Sequence, residues 1–226
     1  MEQATLHKFW WLWFPLLIGG VQAILEIALP VNILKELHTE RGPHELIEFF
    51  FVFAGFLVAV RILWEGFSAI SKWLKAWVGL AAVCCFYVAG EEISWGQHFL
   101  LWSTPDYWVH INDQQETNLH NTSSWLDQKP RILLEVGVVT GGLIVPLLLR
   151  LRKNLLPAQF NIIYPPAILA VTAALALIVK ILEDIDDTLP QVLFMERASE
   201  ITELYLFYFV LLFLIVLRRR ILQHQR

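Results

Sequence analysis

Six long apolar runs, separated by shorter polar segments, form the main pattern of the chain. A transmembrane helix needs roughly 20 mainly apolar residues to cross about 30 Å of hydrocarbon. The runs of sufficient length are residues 9–29, 44–64, 74–102, 132–149, 160–182 and 201–217. The pattern predicts an all-α polytopic transmembrane helical bundle of about six spanning helices, in a single integral membrane domain over residues 1–226.

The first run contains a small-residue site at Ala23 of the kind that signal peptidases cleave. The apolar run continues past Ala23 to Leu29. We therefore expect a retained first helix.

Lysine and arginine favour cytoplasmic loops, so their distribution predicts orientation. With a cytoplasmic N-terminus, eleven of the 17 basic residues lie on the cytoplasmic side, namely Lys8, Arg61, Lys72, Lys75, Arg150, Arg152, Lys153, Arg218, Arg219, Arg220 and Arg226. The remaining six, Lys35, Arg41, Lys129, Arg131, Lys180 and Arg197, lie on the opposite side. The split predicts that both termini are cytoplasmic. We expect a multi-pass protein of the bacterial inner membrane.

Composition supports lipid as the main surrounding of the chain. The residues are 57% hydrophobic and 17% charged, with a mean hydropathy of +0.55. The net charge is only -4, and the basic residues form short clusters beside apolar runs instead of a basic and aromatic surface. These features argue against a soluble protein and against nucleic acid as a partner.

The acidic residues are more unevenly distributed than the basic ones. Of the 21 acids, only Glu2 and Glu65 fall on the predicted cytoplasmic side. Ten of the others lie within or at the ends of predicted helices: Glu26, Glu45, Glu48, Glu91, Glu92, Glu135, Glu183, Asp184, Glu200 and Glu203. An acid at the centre of a membrane helix costs about 2.5 kcal/mol or more and marks a candidate functional site. The sequence thus predicts a polar site near the non-cytoplasmic face.

Helix direction separates these acids. Five acids lie in the first or second turns of their predicted helices, where the helix dipole favours a carboxylate: Glu45, Glu48, Glu135, Glu200 and Glu203. Glu91 and Glu92 lie in a helix that runs outward, so the dipole does not favour them. In a continuous helix over 74–102, Glu91, Ser94 and His98 would share one face. We therefore predict Glu91, Glu92, Ser94 and His98 as catalytic candidates.

Histidines near the same face suggest a divalent metal such as zinc. His44 and Glu48 are four residues apart, a spacing at which two helical ligands can meet one ion. His98 and His120 are further candidate ligands. Asn118, Glu135, Glu200 and Glu203 complete the predicted polar site.

Two other segments carry expectations about contacts. The polar connection over residues 103–129 is longer than a simple turn needs, which predicts a functional loop or cap on the outer side. Gly137 and Gly141 form a small-xxx-small surface for close helix contact, within the chain or between copies in a homo-oligomer.

Two short motifs resemble parts of known families. The Glu91-Glu92 doublet resembles the opening motif of the CAAX-type intramembrane glutamic proteases, in which a glutamate and downstream histidines activate water. Those proteases have an arginine four residues after the second glutamate, where this chain has Gly96. The Ser94-xxx-His98 spacing is similar to one motif of the seven-helix alkaline ceramidase and adiponectin-receptor zinc hydrolases, whose late His-xxx-His pair is missing here. Both resemblances imply hydrolytic chemistry but cover few residues, and we infer membership of neither family.

Three functions fit these features. The first is an intramembrane hydrolase, with or without a metal, that acts on a lipid or peptide and uses Glu91 or Glu92 as general base. The second is a carrier or binding protein whose acidic vestibule attracts cations, protons or a cationic head group. The third is a structural membrane subunit in which acids and bases satisfy one another.

Overall fold

The computed structural model describes residues 6–37, 39, 42–66, 70–112, 114–152, 155–189 and 195–224. The described part is helical and contains no β-strand. Its helices are α1 (Phe14–Ala28), α2 (Val31–Leu37), α3 (Pro43–Gly66), α4 (Lys72–Glu92), α5 (Gln97–Leu100), α6 (Asp106–Ile111), α7 (Ser124–Val139), α8 (Val145–Leu151), α9 (Ala170–Thr188) and α10 (Ala198–His224). A π-helical segment, Phe9–Trp13, leads into α1, and another, Thr140–Ile144, joins α7 to α8.

α10 is the central helix of the bundle. In its membrane-length window 72% of the residues are buried, compared with 11–28% for the other candidate spans among the described residues. α3 and α9 both pack along α10, and α4 packs along α3 and also reaches α10, where the Trp77 ring lies edge-on to Phe213 at 5.6 Å. A helix that is apolar all round is suited to such a central position, whereas the outer helices present apolar side chains to lipid.

Two tyrosines of α10 attach the first helix to this core. In the π-helical segment the N–H of Phe14 donates to the carbonyl of Phe9, and the next bond in that register would need an N–H from Pro15. Proline has none, so the Trp10 carbonyl is left for another donor. The Tyr208 hydroxyl donates to it at 2.7 Å, and the Tyr205 hydroxyl donates to the Pro15 carbonyl at 2.9 Å.

The predicted membrane bundle is confirmed, with adjusted helix ends. Five described helical segments have the length and apolar composition of a membrane span. The predicted fifth span, over 160–182, is not among these five, and its place is taken by α9, which begins later, at Ala170, and ends in an acidic segment up to Thr188. The third span is also shorter than predicted, because α4 ends at Glu92 and does not reach residue 102.

Several helix ends meet at one end of the bundle, which we call the acidic end. α3, α7 and α10 begin there, while α4 and α9 finish there. The connection after α4 contains α6 and a 3-10 turn at His120–Thr122 and folds back onto the last turn of α4. The topology in the sequence analysis assigns this end to the non-cytoplasmic side.

Candidate functional site

A sharp break follows α4 at the acidic end. Ser94, Trp95 and Gly96 have φ values of 45°, 55° and 102°. Positive φ is uncommon for residues other than glycine, and strained backbone of this kind clusters at functional sites. Because of the break, Glu91, Ser94 and His98 do not form the continuous helical stripe that their spacing predicts.

Glu91 holds the break and the following loop in place. One oxygen of its carboxylate accepts a hydrogen bond from Trp95 Nε1 at 2.6 Å, and the other accepts one from the backbone N–H of Leu119 at 2.6 Å. The Trp95 ring lies against Gly90, where an added Cβ would be 2.9 Å from the indole. Glu91 is buried, and its two hydrogen bonds connect the end of α4 to the loop.

Replacing Gly90 with alanine is expected to displace the Trp95 indole and to destabilise the fold by about 1–3 kcal/mol, the usual cost of overpacking. Thermal unfolding of the purified protein in detergent measures this loss. Gly79→Ala is the matched control on the same helix, because no atom lies within 4 Å of its Cβ position. That control should be neutral or slightly stabilising. Equal stability of both variants with the parent would contradict the tight Trp95 packing.

A second buried carboxylate, Glu116, organises the loop. Ser94 Oγ donates a hydrogen bond to Glu116, and His98 Nε2 lies 2.8 and 2.9 Å from its two oxygens. The Asn118 side-chain amide donates to Ser94 Oγ at 3.0 Å and to Glu116 at 3.3 Å. Among the described hydrogen bonds none joins Ser94 directly to His98. Ser94 and His98 both contact Glu116 instead of each other, so they lack the direct hydrogen bond that joins a serine nucleophile to its histidine base.

A third set of carboxylates comes from three different helices. Glu48 of α3, Glu92 at the end of α4 and Glu203 of α10 each place a side-chain oxygen within 4.8 Å of the others. Glu48 is 0% exposed, and neither of its carboxylate oxygens accepts a hydrogen bond from a described N–H group or hydroxyl, while its carboxyl group is close enough to Glu92 for the two to share a proton. We call these residues the three-carboxylate group. Three carboxyl groups are thus close together in a buried position, and Glu48 lacks the N–H or O–H donors that normally accompany a buried carboxylate.

Two more acidic residues lie close to the three-carboxylate group. Glu45 precedes Glu48 by three residues on α3, and Glu200 precedes Glu203 by three on α10, so each pair lies on one helix face. Both added acids are close enough to interact electrostatically with Glu48 and Glu92. Repulsion among these carboxylates favours binding of protons or of a cation.

One guanidinium links the group to the neighbouring helices. Arg131 of α7 contacts Glu203 at 3.4 Å, Glu135 at 3.1 Å and Glu183 of α9 at 2.7 Å. Lys180 contacts Glu183 at 3.3 Å. These ion pairs satisfy Glu135 and Glu183, but only Glu203 of the three-carboxylate group receives a contact from Arg131.

A cavity of about 770 Å³ opens beside the three-carboxylate group. One side is formed by α4 from Trp77 to Glu92, and the other side by α7 from Pro130 to Gly137. Glu92, Glu200 and Glu203 line its polar end. A ligand in this cavity would therefore meet both apolar helix faces and carboxylates.

The other predicted metal ligands occupy different positions. His44 Nδ1 lies 3.0 Å from the Leu37 carbonyl, and its Nε2 lies 3.2 Å from the Gln22 side-chain oxygen. His44 is therefore directed at the α1–α2 region, while Glu48 points to the three-carboxylate group. The side chain of His120 lies outside the described residues. Their metal roles stay predictions.

The structure brings together part of the predicted site. Glu92 lies close to Glu48 and Glu203. Four other predicted residues hold the loop that follows α4, namely Glu91, Ser94, His98 and Asn118. Glu135 forms an ion pair with Arg131. Sequence reasoning named Arg131 only as one of the bases of a structural network, and it did not single out Glu116. In the sequence, Arg131 is a base near several acids and Glu116 is an acid in a polar loop. Both features are common in surface segments, so neither indicates a site.

The predicted glycine contact is partly used inside the chain. Gly141 lies against Pro165, whose Cγ is 3.3 Å from an ideal Cβ position. Gly137 lines the cavity. Association between copies through these glycines stays a prediction.

Fold and site together define an integral membrane protein with a buried carboxylate site. No protein-family model, no curated protein and no solved structure matches the chain. Function is therefore inferred from the contacts of this chain.

Proposed function

We propose that this protein is a divalent-cation-dependent intramembrane hydrolase, and that the three-carboxylate group holds the cation. The observation that carries the proposal is Glu48, which is fully buried, accepts no hydrogen bond from a described N–H group or hydroxyl, and lies within 4.8 Å of two further carboxylates. A bound cation would supply the positive charge that such a group needs.

The ligand set favours a hard cation over zinc. The three ligands are carboxylates, and the described group contains no histidine or cysteine. Magnesium, manganese and calcium prefer oxygen ligands, whereas zinc sites generally include histidine or cysteine. A histidine-containing zinc site, which the sequence suggested, has less support than a site for Mg²⁺, Mn²⁺ or Ca²⁺.

Hydrolysis is favoured by the position of the group beside the cavity. One oxygen from each of three carboxylates leaves positions open on a cation that takes six or more ligands. Those positions could hold a water molecule and a substrate oxygen together. In the proposed reaction the water oxygen bonds to the electrophilic carbon or phosphorus of an ester, and the ester bond breaks. The water proton passes through the second carboxylate oxygen of Glu92, which lines the cavity, to the leaving oxygen.

A cation carrier is the second candidate, and the surplus of carboxylates favours it. Glu45 and Glu200 extend the negative charge beyond the three ligands that a bound ion needs. Such a chain of acids can pass a cation or proton onward. We propose the bacterial inner membrane as the location for either function.

One reconstitution separates the two candidates. Metal-stripped protein is placed in vesicles of phosphatidylethanolamine and phosphatidylglycerol, with Mn²⁺ outside and a Mn²⁺-quenched dye inside. A hydrolase should release lipid products, detected by mass spectrometry, only when Mn²⁺ is present, and Glu92→Gln should abolish that release. Dye quenching without lipid products would favour the carrier. The absence of both dye quenching and lipid products would contradict both candidates.

A further inference from the structure

The cavity beside the three-carboxylate group has the form of a site for an amphiphile. Its lining on α4 runs from Trp77 through Leu80, Ala81, Cys84 and Val88 to Glu92. These residues recur at helical spacing over fifteen positions, which corresponds to a length of about 22 Å. The cavity volume of about 770 Å³ lies in the usual range for small-molecule sites.

The apolar part of the cavity is open to the side of the bundle. Leu80 of α4 and Leu133 of α7 both line it and are 63% and 74% exposed. In a membrane, these two exposed side chains contact lipid. An acyl chain can therefore enter between α4 and α7 without passing through water.

The polar end of the cavity is strongly acidic. The cavity is lined by six glutamates and two arginines, namely Glu45, Glu91, Glu92, Glu116, Glu200, Glu203, Arg131 and Arg197. Arg131 contacts Glu203 at 3.4 Å and Arg197 contacts Glu200 at 3.7 Å, so the acids outnumber the arginines by four. A divalent cation on the three-carboxylate group would leave this end negative. The complementary head group is therefore a positively charged one.

We propose that the cavity binds a membrane lipid whose head group carries an ammonium, with its acyl chain along the α4 groove and its ammonium at Glu45 and Glu200. This inference rests on the proposed function, because it names the substrate class of the same site. A primary ammonium has three N–H donors and can contact more than one carboxylate at once. Charge selects the head group, and the groove length selects a long apolar chain.

Native mass spectrometry of the detergent-purified protein tests this lipid site. With matched acyl chains, phosphatidylethanolamine is expected to bind about tenfold more tightly than phosphatidylglycerol, a difference of about 1.4 kcal/mol. Glu45→Gln with Glu200→Gln should reduce that preference. Equal binding of the two lipids by the parent protein would overturn the inference.

A blocking variant tests the groove itself. Ala81→Trp fills the apolar part, about 16 Å along α4 from Glu92, and should abolish lipid retention while Mn²⁺ binding persists. Val83→Trp is the control, since Val83 is 66% exposed and is not among the residues that line the cavity. Lipid retention in Ala81→Trp equal to that in Val83→Trp would contradict the groove. Lipid binding without Mn²⁺ binding would refute the proposed cation site but keep the lipid site.

Discussion

Glu48→Gln is expected to have opposite effects on stability without and with a divalent cation. In metal-free protein the substitution removes a buried carboxyl that has no donor and introduces an amide that can donate to Glu92 and Glu203. A gain of about 2 kcal/mol is expected, comparable to the cost of an unsatisfied buried polar group. With Mn²⁺ at about 100 times its dissociation constant, the parent should gain about 2.7 kcal/mol, and the variant should gain nothing.

Thermal unfolding in detergent, with chelator and then with Mn²⁺, measures both effects. Asp106→Asn is the matched control, because it removes one exposed carboxylate from the start of α6 and leaves the three-carboxylate group intact. It should behave as the parent does in both conditions. If Glu48→Gln instead lowers stability by the same amount with and without Mn²⁺, the group is a structural network and not a cation site.

Arg131→Met is expected to cause the largest loss of stability at the acidic end. Methionine keeps much of the side-chain length but removes the charge that contacts Glu135, Glu183 and Glu203. Removing one partner of a buried ion pair costs about 3–5 kcal/mol, because the opposite charge stays in a poorly solvated position. Chemical unfolding of the purified protein in mixed micelles measures this loss.

The partners of Arg131 provide an internal control for that variant. Glu183→Gln alone should also destabilise, but the double variant with Arg131→Met should lose less than the sum of the two single losses, because each single change leaves a charge unmatched. Strict additivity would show that Arg131 and Glu183 do not depend on one another.

The transmembrane helices could be predicted from sequence because their signal is local. Each needs only a long apolar run, and α3 and α10 lie close to their predicted positions. The end of α4 could not be predicted in this way. Glu91 fixes the break by binding Trp95 and the distant Leu119 backbone, and periodicity does not contain that long-range contact.

The grouping of the three carboxylates could not be predicted from the sequence for the same reason. Glu92 could be identified as a candidate because it lies near the C-terminal end of its helix, where the helix dipole does not stabilise a carboxylate. Glu48 and Glu203 were named separately, since spacing along the chain does not show that α3, α4 and α10 bring them within 4.8 Å. Likewise, His44 was paired with Glu48 by a four-residue spacing, but its two ring nitrogens contact Leu37 and Gln22 instead.

The central claim is that the three-carboxylate group binds a divalent cation, and titration with Mn²⁺ followed by electron paramagnetic resonance tests it most directly. Free Mn²⁺ gives a sharp signal that weakens on binding. We predict one tightly bound Mn²⁺ per chain in the parent and in Asp106→Asn, and loss of that binding in Glu48→Gln. The absence of stoichiometric binding in the parent, or undiminished binding in Glu48→Gln, would contradict the claim.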